Sequence, residues 1–277
     1  MKKRTKPHTR RYDGRMTLFL LVACRAAPTA IDTGDSGSAD TGPIPIEGAI
    51  FDDSGRVSSA WRTVLFPADM VKWLGSRVTD DALLCPARAD LGGGHWTLTG
   101  DCADGSGTVF QGSVDFSGVN HEWPWFTAPF DAAWTNFGWY LDDVGGLVMN
   151  GPQTGTGGDG LDALESPFTI TGTVMGNEYN IVYARHSLSG FAGLVSGSAP
   201  WTVSGAATMD LGASIFDFSL EGGGTYADGC PSEPGTGAIT LAAADDSVTF
   251  QFDGSANCDG CIPYTTGSGV TGQVCAG

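Results

Sequence analysis

No lysine or arginine occurs after Arg185, a stretch of 92 residues. From Cys24 onward seven basic residues stand against thirty acidic ones, a net charge of −23. Such a chain repels phosphate backbones and anionic headgroups, so nucleic acid is not an expected partner. A membrane-spanning helix needs about 20 apolar residues, and the main apolar run, Met16–Ala23, has eight. The chain carries no Gly-x-x-x-x-Gly-Lys loop, no dinucleotide fingerprint, no Gly-x-Ser-x-Gly elbow and no His-Glu-x-x-His helix. Histidine is scarce: beyond Cys24 there are His95, His121 and His186, none in a metal-binding spacing. No catalytic residue is therefore assigned. A Ser-His-Asp set gathered from distant strands stays open, because such triads follow geometry and not sequence order. Glycine, in contrast, is abundant at 42 of 277 residues, about twice ordinary usage.

The basic residues that do exist are concentrated at the start. Residues 1–23 hold seven of the fourteen Lys and Arg (Lys2, Lys3, Arg4, Lys6, Arg10, Arg11, Arg15) and one acid, Asp13. A basic segment followed by eight mostly apolar residues is the pattern of an export signal. It ends Leu21-Val22-Ala23-Cys24. This resembles the lipobox of signal peptidase II substrates, with Leu at −3 and a small residue at −1. The resemblance implies cleavage of residues 1–23, lipid on Cys24 and a membrane partner reached through that lipid. Several acyl chains together give stable anchoring. Arg25 stands where an Asp would imply retention at the inner membrane, so the expected location is the cell envelope, at the outer membrane or cell surface. Residues 24–43 are rich in Asp, Thr, Gly, Ser and Pro and predict a disordered tether. Asp32-Thr33-Gly34 and Asp40-Thr41-Gly42 imitate aspartic-protease triplets, but two copies eight residues apart in a tether cannot form two lobes. The lipobox with this tether resembles the lipoproteins of myxobacteria and their relatives that carry Asp/Thr/Gly tethers. That resemblance covers about 43 residues and implies no activity.

Residues 44–277 read as one exported β domain. Trp96–Gly100, Phe168–Gly172 and Trp201–Gly205 each alternate an apolar residue with a hydroxyl, which places the two kinds on opposite faces of a strand. Thr108–Phe116, Gly138–Leu141, Tyr179–Tyr183, Ser214–Leu220, Gly237–Ala242 and Ser247–Phe252 are further short strands between Gly, Asn, Asp and Ser turns. Residues 58–91 are ambiguous, with a short helix over Pro67–Gly75 stopped by Gly75. The expected fold class is all-β and antiparallel, either a sandwich or an up-and-down barrel-like meander. A transmembrane barrel is disfavoured by the shortness of these runs.

Six cysteines remain after Cys24, an even number that suits disulfides outside the cytoplasm. Glycine or acidic turns lie midway between Cys85 and Cys102, Cys230 and Cys258, and Cys261 and Cys275, so each pair is expected across its own hairpin. The pairing is least fixed at Cys258 and Cys261. A four-thiolate zinc site or a redox Cys258–Cys261 pair would use the same residues. An acidic β setting and an oxidising compartment argue for structural bridges. No cofactor is required. Asp101 and Asp104, and Asp159, Asp162 and Glu165, are candidate Ca²⁺ ligands because they place oxygens within short glycine-rich loops. His121, Glu122, Trp123, Trp125 and Phe126 are a candidate ligand surface, since a proline between two tryptophans can present both rings to a sugar. The competing reading makes these aromatics, with Trp134 and Trp139, core.

The expected function is that of a membrane-anchored module outside the cytoplasm, non-enzymatic, serving a glycan or protein ligand or the envelope structure. The alternatives are a secreted hydrolase with an unrecognised site, or a lipid or small-molecule carrier with a hollow interior.

Overall fold

The computed structural model describes residues 50–52, 54–80, 84–120, 126–142, 144–157, 161–174, 177–191, 200–210, 215–227, 230–254 and 259–275. A 3-10 turn at Ile50–Asp52 leads into two helices, α1 (Ser54–Val64) and α2 (Phe66–Thr79). Fifteen strands follow: β1 (Ala87–Gly92), β2 (His95–Thr99), β3 (Cys102–Ala103), β4 (Val109–Val119), β5 (Phe126–Leu141), β6 (Gly145–Thr156), β7 (Ala163–Glu165), β8 (Thr169–Val174), β9 (Asn177–Ser189), β10 (Trp201–Asp210), β11 (Ile215–Ala227), β12 (Cys230–Ala243), β13 (Asp246–Gln251), β14 (Cys261–Thr266) and β15 (Thr271–Cys275). All pair antiparallel in one sheet in sequence order, with β3 beside β4 and the short β7 and β8 sharing the place between β6 and β9. The fold is the up-and-down meander.

The strands are longer than the sequence pattern suggested, reaching 16 residues in β5 and 14 in β12. Bulges interrupt them: the expected Thr108–Phe116 strand crosses the one at Gly112 and stops before the one at Gly118. At Gly112 the β4–β5 register slips, and φ is +69°. A Cβ there would lie 2.1 Å from the Asn136 carbonyl oxygen, so only glycine fits. Each bulge shifts the phase of the buried residues, which breaks the period-2 pattern while the pairing continues. Strand shortness therefore no longer argues against a transmembrane barrel. The outer face supplies a better argument. It carries cross-strand polar pairs: Thr97 with Asp115, Thr208 Oγ1 to Asp217 at 2.5 Å, Ser187 Oγ to Glu165 at 2.6 Å, and Thr225 with Thr236 at 2.7 Å. A lipid-facing barrel is apolar outside, whereas these pairs place hydroxyls and carboxylates there, beside the exposed Val109, Tyr140, Val182 and Ile215. Among the described residues no helix is long and apolar enough to cross a membrane.

The inward residues form one hydrophobic core around the helix pair. Thirteen strands side by side would extend about 58 Å if flat, whereas the two helices total about 38 Å of axis. Yet the helices meet both ends of the sheet. Arg88 of β1 donates to the Val78 carbonyl of α2 at 2.6 Å. Trp73 stacks on Phe110 of β4, and Phe66 on Trp139 of β5. Trp61 meets Phe250 of β13 at 4.9 Å. The Phe51 amide donates to Asp246 at 2.7 Å, and Ser268, between β14 and β15, donates to Asp52 at 2.5 Å. The sheet therefore curls around the helices.

Helix α2 and most of α1 lie in the region 58–91 that the sequence left ambiguous, and α1 starts before it, at Ser54. In α1 the apolar residues Val57, Ala60, Trp61 and Val64 recur at helical spacing. Helix α2 does not stop at Gly75 but runs on to Thr79. Gly75 is there for space: a Cβ would sit 2.6 Å from Phe126 Cζ. Two of the expected disulfides are formed, Cys85–Cys102 (S–S 2.08 Å) and Cys261–Cys275 (2.01 Å). Cys261 and Cys275 stand directly opposite each other in the β14–β15 register. Cys230 opens β12, and its expected partner Cys258 lies outside the described residues.

Candidate functional site

The break between α1 and α2 creates a problem of satisfaction. A helix end leaves its last carbonyls without intrahelical donors. Leu65, between the helices, caps nothing through its side chain, and Pro67 brings no N–H to the first turn of α2. The sheet supplies the donors. Tyr183 of β9 donates its hydroxyl to the Thr63 carbonyl at 2.7 Å. His186 Nε2, also on β9, lies 2.8 Å from the Val64 carbonyl. On the other side of the break, Gln153 of β6 fastens the first turn of α2, donating through Nε2 to the Pro67 carbonyl at 2.9 Å and to Ser166 Oγ at 3.0 Å. Its Oε1 accepts from Trp134 Nε1 at 2.8 Å. Gln153, Ser166 and His186 have no solvent exposure.

The chemistry of this joint follows from its protons. A carbonyl only accepts, so His186 Nε2 carries the hydrogen and Nδ1 is a bare lone pair. Nδ1 is buried and has no hydrogen-bond partner. Burial pushes the imidazole below its ordinary value, against the opposing effects of the Val64 bond and Glu165. Burial drives the Tyr183 phenol far up, so it stays neutral. The joint therefore consists of neutral, solvent-excluded donors that fix the helices to the sheet. Its polar side chains, Gln153, Ser166, Tyr183 and His186, are all buried. No local pattern announces it, because its helix and sheet partners lie 86 to 122 residues apart.

The candidate Ca²⁺ ligands are dispersed. Asp101 is an exposed turn residue with φ +63°. Asp104 accepts from Ser106 Oγ at 2.6 Å, the Ser106 amide at 2.9 Å and the Thr108 amide at 3.1 Å, so one oxygen of its carboxylate closes its own loop. Its partial burial would raise the carboxyl, but these bonds and the Arg77 guanidinium outweigh that and hold it below the usual range. Asp162 is exposed, Glu165 is the acceptor for Ser187, and Asp159 lies outside the described residues. Among the described residues no group of three or more His, Cys, Asp or Glu is placed to hold a metal ion.

The candidate aromatic surface divides. His121, Glu122, Trp123 and Trp125 lie outside the described residues. Phe126 is a correction: it is 7% exposed, packs edge-on to Phe191 at 5.4 Å and covers Gly75, so it belongs to the core. Trp134 and Trp139 are also buried. Of the other histidines, His95 is exposed at the start of β2. No family model, no curated protein and no solved structure matches the chain.

Proposed function

We propose that this chain is a membrane-anchored lipoprotein of the cell envelope, exported and tethered through lipid on Cys24, and that its folded body is a non-enzymatic binding or envelope-structural module. The observation that carries the reading is Leu21-Val22-Ala23-Cys24 at the end of a basic and then apolar leader. Two formed disulfides suit an oxidising compartment. The hydroxyl- and carboxylate-bearing outer face suits a body held in water beside a membrane.

Two observations weigh on the alternatives. His186, which a hydrolase could have used as a base, is buried and already bonded to a backbone carbonyl. The inside of the sheet, where a carrier would hold its ligand, is occupied by α1 and α2. The partner classes that fit the acidic, hydroxyl-rich surface are neutral glycans and proteins. Substituting Cys24→Ala tests the anchor. The wild-type protein is expected in the membrane fraction with an intact mass of residues 24–277 plus lipid, and the variant in the soluble fraction. Equal partitioning of both, or a wild-type mass without lipid, refutes it. A glycan array and a cross-linked pulldown then test the binding reading, which fails if both are empty.

A further inference from the structure

We propose that His186 is an acid-sensitive latch: when it takes up a proton, its hold on the Val64 carbonyl is released and the α1–α2 joint loosens while the strands of the meander stay paired. The geometry carries this. Nε2 already spends its hydrogen on the Val64 carbonyl, and the fully buried Nδ1 has no hydrogen-bond partner; the acceptor within its reach is the carbonyl of His186 itself, which already accepts from the Ser166 amide at 2.9 Å. An imidazolium donates from both nitrogens, so the second hydrogen would be buried with only an acceptor already in use, on a buried positive charge. Leaving the joint relieves both costs.

The surroundings offer little compensation. On β7, Glu165 is exposed and its carboxylate is occupied by Ser187 at 2.6 Å. On β9 itself, the neutral Tyr183 ring lies edge-on at 5.6 Å and Arg185 is exposed. On β10 the residue in register with His186 is Gly205, flanked by Ser204 and Ala206. On β6 the contribution is the neutral Gln153. On α1, Arg56 reaches back to the Ile50 carbonyl at 3.5 Å, and on α2 Asp69 and Lys72 pair with each other at 2.5 Å. Tyr183 and Gln153 keep holding Thr63 and Pro67, so the latch loosens one of three fastenings at the helix break.

The sign follows from linkage. The latched histidine holds its proton less tightly than the released one, so release takes up a proton. The opening constant rises about tenfold for each pH unit below about 6.5, which is about thirtyfold between pH 7.5 and pH 5.0.

The test is amide hydrogen exchange of the full chain by mass spectrometry, corrected for the intrinsic pH dependence of exchange. Protection of peptides covering residues 57–72 is expected to fall about thirtyfold from pH 7.5 to pH 5.0, with β10–β12 unchanged. His186→Gln keeps a donor without a titrating group and should abolish that slope. Tyr183→Phe removes the neighbouring bond and should lower protection at every pH with the slope intact. Exchange at the imidazole C2 position reads the His186 titration directly in the unmodified protein and should show it below the ordinary histidine value. The proposal is overturned by a wild-type profile flat in pH, by the same slope in His186→Gln, by an ordinary His186 titration, or by equal loss of protection in the sheet. None of these readouts involves the anchor, so this proposal and the lipoprotein reading fail separately.

Discussion

Gly75 offers a quantitative test of how α2 sits against the sheet. Two effects oppose each other in Gly75→Ala. Alanine in a helix interior is favoured over glycine by about 1 kcal/mol. The new methyl would lie 2.6 Å from Phe126 Cζ and 3.1 Å from Cε1, against an ordinary contact of about 3.5–4.0 Å, so the ring must retreat by about 1 Å. It retreats into Phe191, whose ring centroid is 5.4 Å away. Overpacking of this kind costs about 1–3 kcal/mol. Gly75→Ala is therefore expected to be neutral or to destabilise by up to about 2 kcal/mol. The clash belongs to the ring, so removing the ring should reverse the sign. In a Phe126→Leu background, itself destabilised, Gly75→Ala should stabilise by up to about 1 kcal/mol. Urea unfolding under non-reducing conditions, followed by tryptophan fluorescence, gives the four stabilities of the cycle. A coupling of about 1–3 kcal/mol is expected. Stabilisation of the wild-type background by the full propensity gain, with no coupling, would refute the packing described for Gly75 and Phe126.

Gln153→Leu should destabilise by about 3 kcal/mol or more, because Trp134 Nε1, the Pro67 carbonyl and Ser166 Oγ each lose a buried partner; the same urea titration checks it, and a loss under 1 kcal/mol would mean that water reaches the joint. Replacing Cys85 and Cys102 together by serine opens a loop of sequence separation 17 and should cost about 3 kcal/mol; non-reducing thermal melts against the wild-type protein measure it, and an unchanged midpoint would count against the bridge as a staple.

Strands were legible where alternation is unbroken. Trp201, Val203, Ala207 and Met209 of β10 show it, and so do Val248 and Phe250 of β13. Strand length was not fully legible: the expected Thr108–Phe116 strand crosses Gly112 but stops short of Gly118, which reads as a turn when it is a second bulge inside continuous pairing. Gly75 misled in the same way. In sequence a glycine after an apolar run signals a helix stop, and only the Phe126 ring reveals that the missing methyl is the point. Helix α1 did carry a signal, since Val57, Ala60, Trp61 and Val64 share one face, but it is short and interrupted by serines. The His186 joint lay beyond sequence reasoning. A lone histidine in an alternating strand looks the same whether it faces solvent or a helix end more than a hundred residues away. Two hairpin bridges were readable because each spans a single turn, so local spacing was sufficient.

The place where Phe51 and Asp52 are fastened has a consequence for the order of assembly. Their partners, Asp246 and Ser268, come 195 and 216 residues later. A chain released from its N-terminus presents α1 and α2 before any strand exists to cover them. The strands then arrive one after another, each with its neighbour already in place, because the sheet follows the order of the chain. Phe51 meets its first ring, Phe216, on β11, but Trp61 waits for Phe250 and Phe252 and Asp52 for the last hairpin. A molecule truncated before β13 keeps that side of its core open to water, to proteases and to other unfinished chains.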